Sequence, residues 1–156
     1  MITFECSKDK KIIKSILFNE SVFKNSSDDF TPNSFEIRTD ILLFILVKKE
    51  NKILGMFVLE PRNTIQLEIH TCLLPHNSLD DIRTILKQGL VYLFTTFPVL
   101  KLTTSVPSSN KRAYLLAKMA GMKDEGINRK SFMKNNILED QFLLGLEKGE
   151  IVCPPQ

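Results

Sequence analysis

The stretch Thr64-Ile-Gln-Leu-Glu-Ile-His-Thr-Cys-Leu-Leu74, followed by Pro75-His-Asn-Ser78 and a long run to Phe97, decides the fold. Ile65, Leu67 and Ile69 alternate with Gln66, Glu68, His70 and Cys72, the period that sends successive side chains to opposite faces of a strand. The second row sets two titratable groups, Glu68 and His70, side by side. Pro75 stops the strand, having no N–H to give to a ladder. Ile82, Ile85, Leu86, Leu90, Leu93, Phe94 and Phe97 then recur at helical spacing until Pro98 ends the run. A strand that opens through a tight loop into a helix is a common cradle for a phosphorylated cofactor, because free amides and the helix dipole face one spot.

Upstream, Ile2 to Cys6 reads as a short strand, and Ser7 is placed to cap a helix whose Ile12, Ile13, Ile16 and Leu17 share a face. Asn19 to Arg38, rich in Asn, Ser, Asp and Phe, reads as a connection with room for one short helix. Asp40 to Lys48 and Lys52 to Leu59 flank Glu50-Asn51 as an antiparallel hairpin, and the unbroken apolar run Ile41 to Val47 predicts a strand covered on both faces. Downstream, Leu100 to Val106 is a further strand, and Pro107-Ser-Ser109 leads into a helix with Ala113, Leu116 and Ala120 on one side and Gly121 as its stop. Met122 to Met133, a turn at Lys134-Asn135-Asn136, and Asp140 to Leu146 complete the order β, α, irregular or helical, β, β, β, α, β, α, β, β. Strands bunched in the middle, with helices between and on both faces, predict a mixed α+β sheet in a single domain over 1–147, with 148–156 as a loose tail carrying Pro154-Pro155.

Composition narrows the function classes. The chain has 156 residues, 43% of them hydrophobic and 25% charged, enough for one buried core. A net charge of +3 without an arginine-rich block argues against nucleic acid as a partner. Lys48-Lys49-Glu50 interrupts the most apolar run, so no membrane span is expected. The start, Met1-Ile-Thr-Phe-Glu, is unlike a secretory signal, and the expected location is the cytoplasm. Cys6, Cys72 and Cys153 are widely spaced, which fits reduced thiols rather than a zinc site, and no metal is expected.

The register Asn110-x-x-Ala113-x-x-Leu116-x-x-x-x-Gly121-Met122 resembles the penultimate helix and its exit in the GNAT superfamily of acetyl-CoA-dependent acyltransferases, usually N-x-x-A-x-x-L-Y-x-x-x-G-F. The element order resembles that fold over nearly the whole chain. More narrowly, Glu68 to Pro75, Ser105-Val-Pro107 with Asn110, and Gly126 to Lys134 resemble a phage-encoded subset that includes head-assembly proteins of short-tailed phages, and for a phage protein the location is the host cytoplasm. The resemblance implies a mostly antiparallel GNAT-like sheet. It also implies an acetyl-CoA site to which Leu73, Leu74, His76, Asn77, Ser78 and Asn110 are the candidates, and a base drawn from Glu68 or His70.

Two departures from the family pattern stand out. The family's pyrophosphate loop, Q/R-x-x-G-x-G/A, corresponds to Pro75-His-Asn-Ser-Leu-Asp-Asp81, which has no glycine. Ser78 and Asp81 form a capping arrangement, and Asp80 with Asp81 sets two negative charges where a pyrophosphate would sit; anions ~5 Å apart at an effective dielectric of about 20 repel by about 3 kcal/mol. The family's tyrosine, seven residues after the Asn, is Ala117 here, with Tyr114 one turn earlier as its candidate substitute. Cys72 beside His70 is read as a buried thiol, and Lys10-Lys11 and Lys111-Arg112 as solvated helix faces, the second pair standing near where the resemblance implies that the cofactor would pass. Two readings stay open: a GNAT-fold protein without efficient cofactor use that works through contacts with phage virion proteins, and an N-acetyltransferase acting on a small or protein amine.

Overall fold

The computed structural model describes residues 1–151. In chain order the elements are β1 Ile2–Ser7, α1 Lys10–Leu17, α2 Glu20–Ser26, β2 Leu43–Lys49, β3 Lys52–Pro61, β4 Gln66–Leu73, α3 Leu79–Thr96, β5 Lys101–Pro107, α4 Lys111–Met119, β6 Lys123–Lys134 and β7 Ile137–Glu147. The seven strands form one sheet in the order β1-β2-β3-β4-β5-β7-β6, antiparallel throughout except at β4–β5. The architecture is therefore the expected mixed α+β sheet with helices on both faces.

From Phe44 to Val47 the apolar run is buried on both sides, as its lack of alternation predicts, whereas Ile41 and Leu42 precede β2 and Ile41 is 54% exposed. Phe44 and Leu46 pack with Met56, Val58 and Cys72 under Ile13 and Ile16 of α1 and Val22 of α2. Ile45 and Val47 face the other way, into the cluster of Phe57, Leu67 and Ile69 closed by Ile85, Leu90 and Leu93 of α3. Each such side chain adds roughly 1.5–3 kcal/mol when fully buried. The apolar stripe of α3 fixes its roll against the sheet, and the extended Phe97 ends it. Glu50 (φ 56°) turns the β2–β3 hairpin, and Asn135 and Asn136 (φ 52° and 58°) turn β6 into β7 with the twist that tight hairpins favour.

Local readings are corrected at three points. Asp9, not Ser7, caps α1, its Oδ1 accepting from Lys11 N at 2.9 Å and Ile12 N at 3.2 Å, while Ser7 Oγ accepts from Asp9 N. Ile65 precedes β4 and is 48% exposed, so the apolar row of that strand begins at Leu67. Strand β7 begins at Ile137, earlier than the apolar pattern suggests, because it pairs with the whole outer half of β6. Of the expected tail, Lys148–Glu150 form a short 3-10 turn and Ile151 packs on the core, whereas Pro154 and Pro155 lie outside the described residues.

Candidate functional site

β4 and β5 are hydrogen-bonded neighbours over three residue pairs, Gln66↔Lys101, Leu67↔Leu102 and Glu68↔Thr103. Beyond Glu68 the two strands part, and Ile69 to Leu73 has no partner on that side. The ladder between β3 and β4 stays in register from Pro61↔Leu67 to Gly55↔Leu73, so β4 leaves β5 without a bulge in its pairing to β3. A cavity of about 230 Å³ fills the gap on the α1–α2 side of the sheet, with His70, Cys72, Thr104, Asn110, Arg112 and Gln141 among its walls. Two further spaces adjoin it on the other side. One of about 80 Å³ shares Thr71, Thr104, Val106, Ala113 and Leu116 with the first. The next, of about 390 Å³, shares Leu86, Leu90 and Ala120 with the second and has Arg83 and Lys87 of α3 on its rim. The parted strands thus stand between spaces on both faces of the sheet, each sharing wall residues with the next.

Glu68 and His70 lie where the strand period puts them, but in different environments. Glu68 is 7% exposed and is clamped by Arg62, whose Nε donates to Oε2 at 2.8 Å and whose second nitrogen donates to the same oxygen. That hydrogen bond raises the pKa of the Arg62 guanidinium further above its ordinary value. His70 is exposed to the cavity, its Nε2 3.6 Å from Glu68 Oε1. That separation is too long for a hydrogen bond. Arg62 sits in the turn before β4, and no local pattern connected it to Glu68. Cys72 is fully buried, and desolvation pushes its thiol up to about 12, which leaves it protonated and unreactive.

The other candidates are dispersed. Tyr114 does not take the place of the family tyrosine: its hydroxyl donates to Asp124 Oδ1 at 2.9 Å and its ring meets Phe142 edge-on, so it faces β6 and β7. The Asp124 carboxylate raises the pKa of that phenol above its ordinary value. Asn110 lines the cavity and caps α4, accepting from Ala113 N at 3.1 Å and donating to the Asn25 carbonyl at 3.1 Å. Asn77 is not a free donor, because its Nδ2 is held by the carbonyls of Leu54 and Leu74 at 2.7 and 2.8 Å, and its Oδ1 is buried without a partner. Leu73 lines the cavity, Leu74 donates its N–H to Leu54, and His76 is exposed. Arg112, read as part of a solvated face, is a wall residue of the cavity.

The acidic cap of α3 is arranged differently from its sequence reading. Ser78 Oγ accepts from Asp81 N at 3.1 Å, as expected. Asp81, however, is turned toward β2, where Lys49 donates to it at 2.8 Å and lowers its pKa below the usual carboxylate value. Asp80 is 94% exposed and lies 3.5 Å from Arg83. Each carboxylate thus has a basic neighbour, Lys49 for Asp81 and Arg83 for Asp80, which offsets the expected repulsion. Among the described residues no helix is long and apolar enough to cross a membrane, and no group of three or more His, Cys, Asp or Glu could hold a metal.

One mostly antiparallel sheet, a single parallel pair that parts, and paired helices on each face define the GNAT fold. Solved structures agree. Spermidine N-acetyltransferase from Vibrio cholerae, in complex with CoA and spermine, is similar with a TM-score of 0.79 at 17% identity, over 96% of this chain and 97% of that one. A chimera of that Vibrio cholerae enzyme with hSSAT gives 0.77 at 17% identity over 96% and 98%. A probable acetyltransferase gives 0.59 at 16% over 69% and 62%. No protein-family model matches the sequence, and no curated protein matches it.

Proposed function

We propose that this chain is an acetyl-CoA-dependent N-acyltransferase whose acceptor amine enters the cavity between the parted strands. The observation that carries this reading is the alignment of spaces, from the α3–α4 surface to a cavity walled by His70, across unpaired β4 backbone. The residues present suit the cofactor in two respects. The small side chains Ala113, Ala117 and Ala120 leave room between α4 and α3, and Lys87 supplies a cation for phosphates where the preceding loop lacks glycine. When bound, acetyl-CoA supplies an activated acyl thioester.

His70 is then the base that meets the incoming amine, because it faces the cavity whereas Glu68 does not line it. Glu68 acts as a positioning residue: it stabilises the charge that the imidazole gains, and Arg62 keeps that carboxylate fixed. With acetyl-CoA bound, His70 would take the proton that the acceptor nitrogen loses as it gains the acyl group, and the cofactor would leave as the free thiol.

Thermal unfolding with acetyl-CoA tests the proposal. Ligand at 100 times its dissociation constant adds ~2.7 kcal/mol. For a chain of this size that raises Tm by roughly 5–10 °C. No rise at millimolar ligand overturns it. The glycine-free loop favours a second reading, a GNAT fold that works through protein contacts such as those of virion head assembly. Co-purification with virion proteins, together with a flat thermal titration, is the result that would select it.

A further inference from the structure

The geometry points to a small primary amine that carries an oxyanion as the acceptor, its carboxylate or phosphate meeting Arg112; this rests on the acyltransferase reading above. The walls of the cavity decide the sign of charge it welcomes. His70 and Arg112 are its basic residues, and no Asp or Glu lines it among the described residues. Glu68, the carboxylate beside His70, is bound by Arg62. Arg112 is exposed and forms no ion pair among the described residues, so its planar donors are available for an oxyanion.

A polyamine is the wrong shape of charge for such walls. Its ammonium groups would meet a guanidinium with no carboxylate lining the cavity to offset it. Size points the same way. At about 230 Å³ the cavity is smaller than most ligand pockets, which run from about 300 to 1,000 Å³. Thr104, Ser105 and Gln141 give neutral polar contacts, and Phe132 an apolar wall. An acceptor with its amine at His70 and its oxyanion at Arg112 satisfies both basic groups at once.

The experiment measures thiol release at saturating acetyl-CoA with matched acceptors: α-amino acids against their carboxamides, O-phosphoethanolamine against ethanolamine, and spermidine. The oxyanion-bearing member of a pair is expected to exceed its neutral partner in kcat/KM by about 10-fold or more, the size of a charge-assisted hydrogen bond. The two pairs distinguish carboxylate from phosphate. Arg112→Gln removes the preference by raising KM for the oxyanion acceptor about 10- to 100-fold with little change in kcat, and Arg112→Lys restores part of it. The melting curve of each variant with acetyl-CoA reports that the fold and the cofactor site remain. Preference for spermidine, an unchanged ratio in Arg112→Gln, or no acceptor turned over while acetyl-CoA still stabilises the protein overturns the acceptor assignment alone. A protein that acetyl-CoA does not stabilise removes the acyltransferase reading and this inference together.

Discussion

Replacing Gly55 by alanine tests how tightly the strands beside the cavity are fitted. A Cβ at Gly55 would stand 2.3 Å from the Cys72 carbonyl oxygen and 2.8 Å from Leu73 Cα, both backbone atoms of β4 that cannot swing aside. The residue also has φ +154°, outside the range that side chains favour. The conformational part costs ~1–3 kcal/mol and the steric part another ~1–3. Gly126 separates the two, since it has a similar φ of +150° but nothing within 4 Å of its ideal Cβ. Urea unfolding followed by circular dichroism reads both substitutions. With a slope of about 1–3 kcal/mol per molar urea, Gly55→Ala should lower the midpoint by roughly 1–2 M, and Gly126→Ala by about half of that or less. Gly149→Ala, which has no neighbour within 4 Å, should change stability by about 0.5 kcal/mol at most. Equal midpoints for Gly55→Ala and Gly126→Ala would refute the steric reasoning. Cys72 and Leu73 line the cavity, so the displaced strand should also weaken stabilisation by acetyl-CoA.

His70→Ala should lower kcat/KM for amine acetylation by about 100-fold or more and Glu68→Gln by less; an unchanged kcat/KM in His70→Ala would remove His70 as the base. Asp40 is held at about 2, below its ordinary 3.8, by hydrogen bonds from Arg38. A depressed carboxylate stabilises the fold above its unfolded pKa, so this contribution should be complete above pH ~4 and lost as pH falls toward ~2. Asp81 and Asp124 are lowered in the same direction by Lys49 and Lys118. Urea midpoints measured across that window should fall, less steeply in Asp40→Asn. Cys72, raised to about 12 from an ordinary 9.0, has the opposite sign: its contribution is full below pH ~9 and is lost as pH rises toward ~12. In a Cys6→Ser, Cys153→Ser background, a thiol reagent at pH 8 should label Cys72 only as fast as the protein opens. Rapid native labelling would show a solvent-accessible thiol.

Much of the fold was legible because it rests on local periodicity. The helix ending at Pro98, the doubly covered β2 and the stop of α4 at Gly121 each follow from spacing within a few residues of one another. The order of elements was enough to suggest the GNAT sheet. What escaped depends on partners far apart in sequence. Asp81 was visible as part of a cap, but its direction is set by Lys49, on a strand that only the folded sheet brings near. Tyr114 shares a helix with Ala117, yet its hydroxyl is engaged by Asp124 and its ring by Phe142, both distant in sequence. Arg112 reads as one of a pair of solvated cations until the parting of β4 and β5 places a cavity beside it. Ser7 and Asp9 are both competent caps, and only the start of the helix chooses between them.

The parallel seam has a consequence for the molecule as a whole. Three residue pairs join a four-stranded leaf, β1 to β4, to a three-stranded one, β5, β7 and β6. Amide exchange should divide into two cooperative blocks along that line, with the seam opening before either leaf dissolves. A molecule seated across it would stitch the leaves into one block, so occupancy could be followed as synchronised exchange even where neither leaf changes shape.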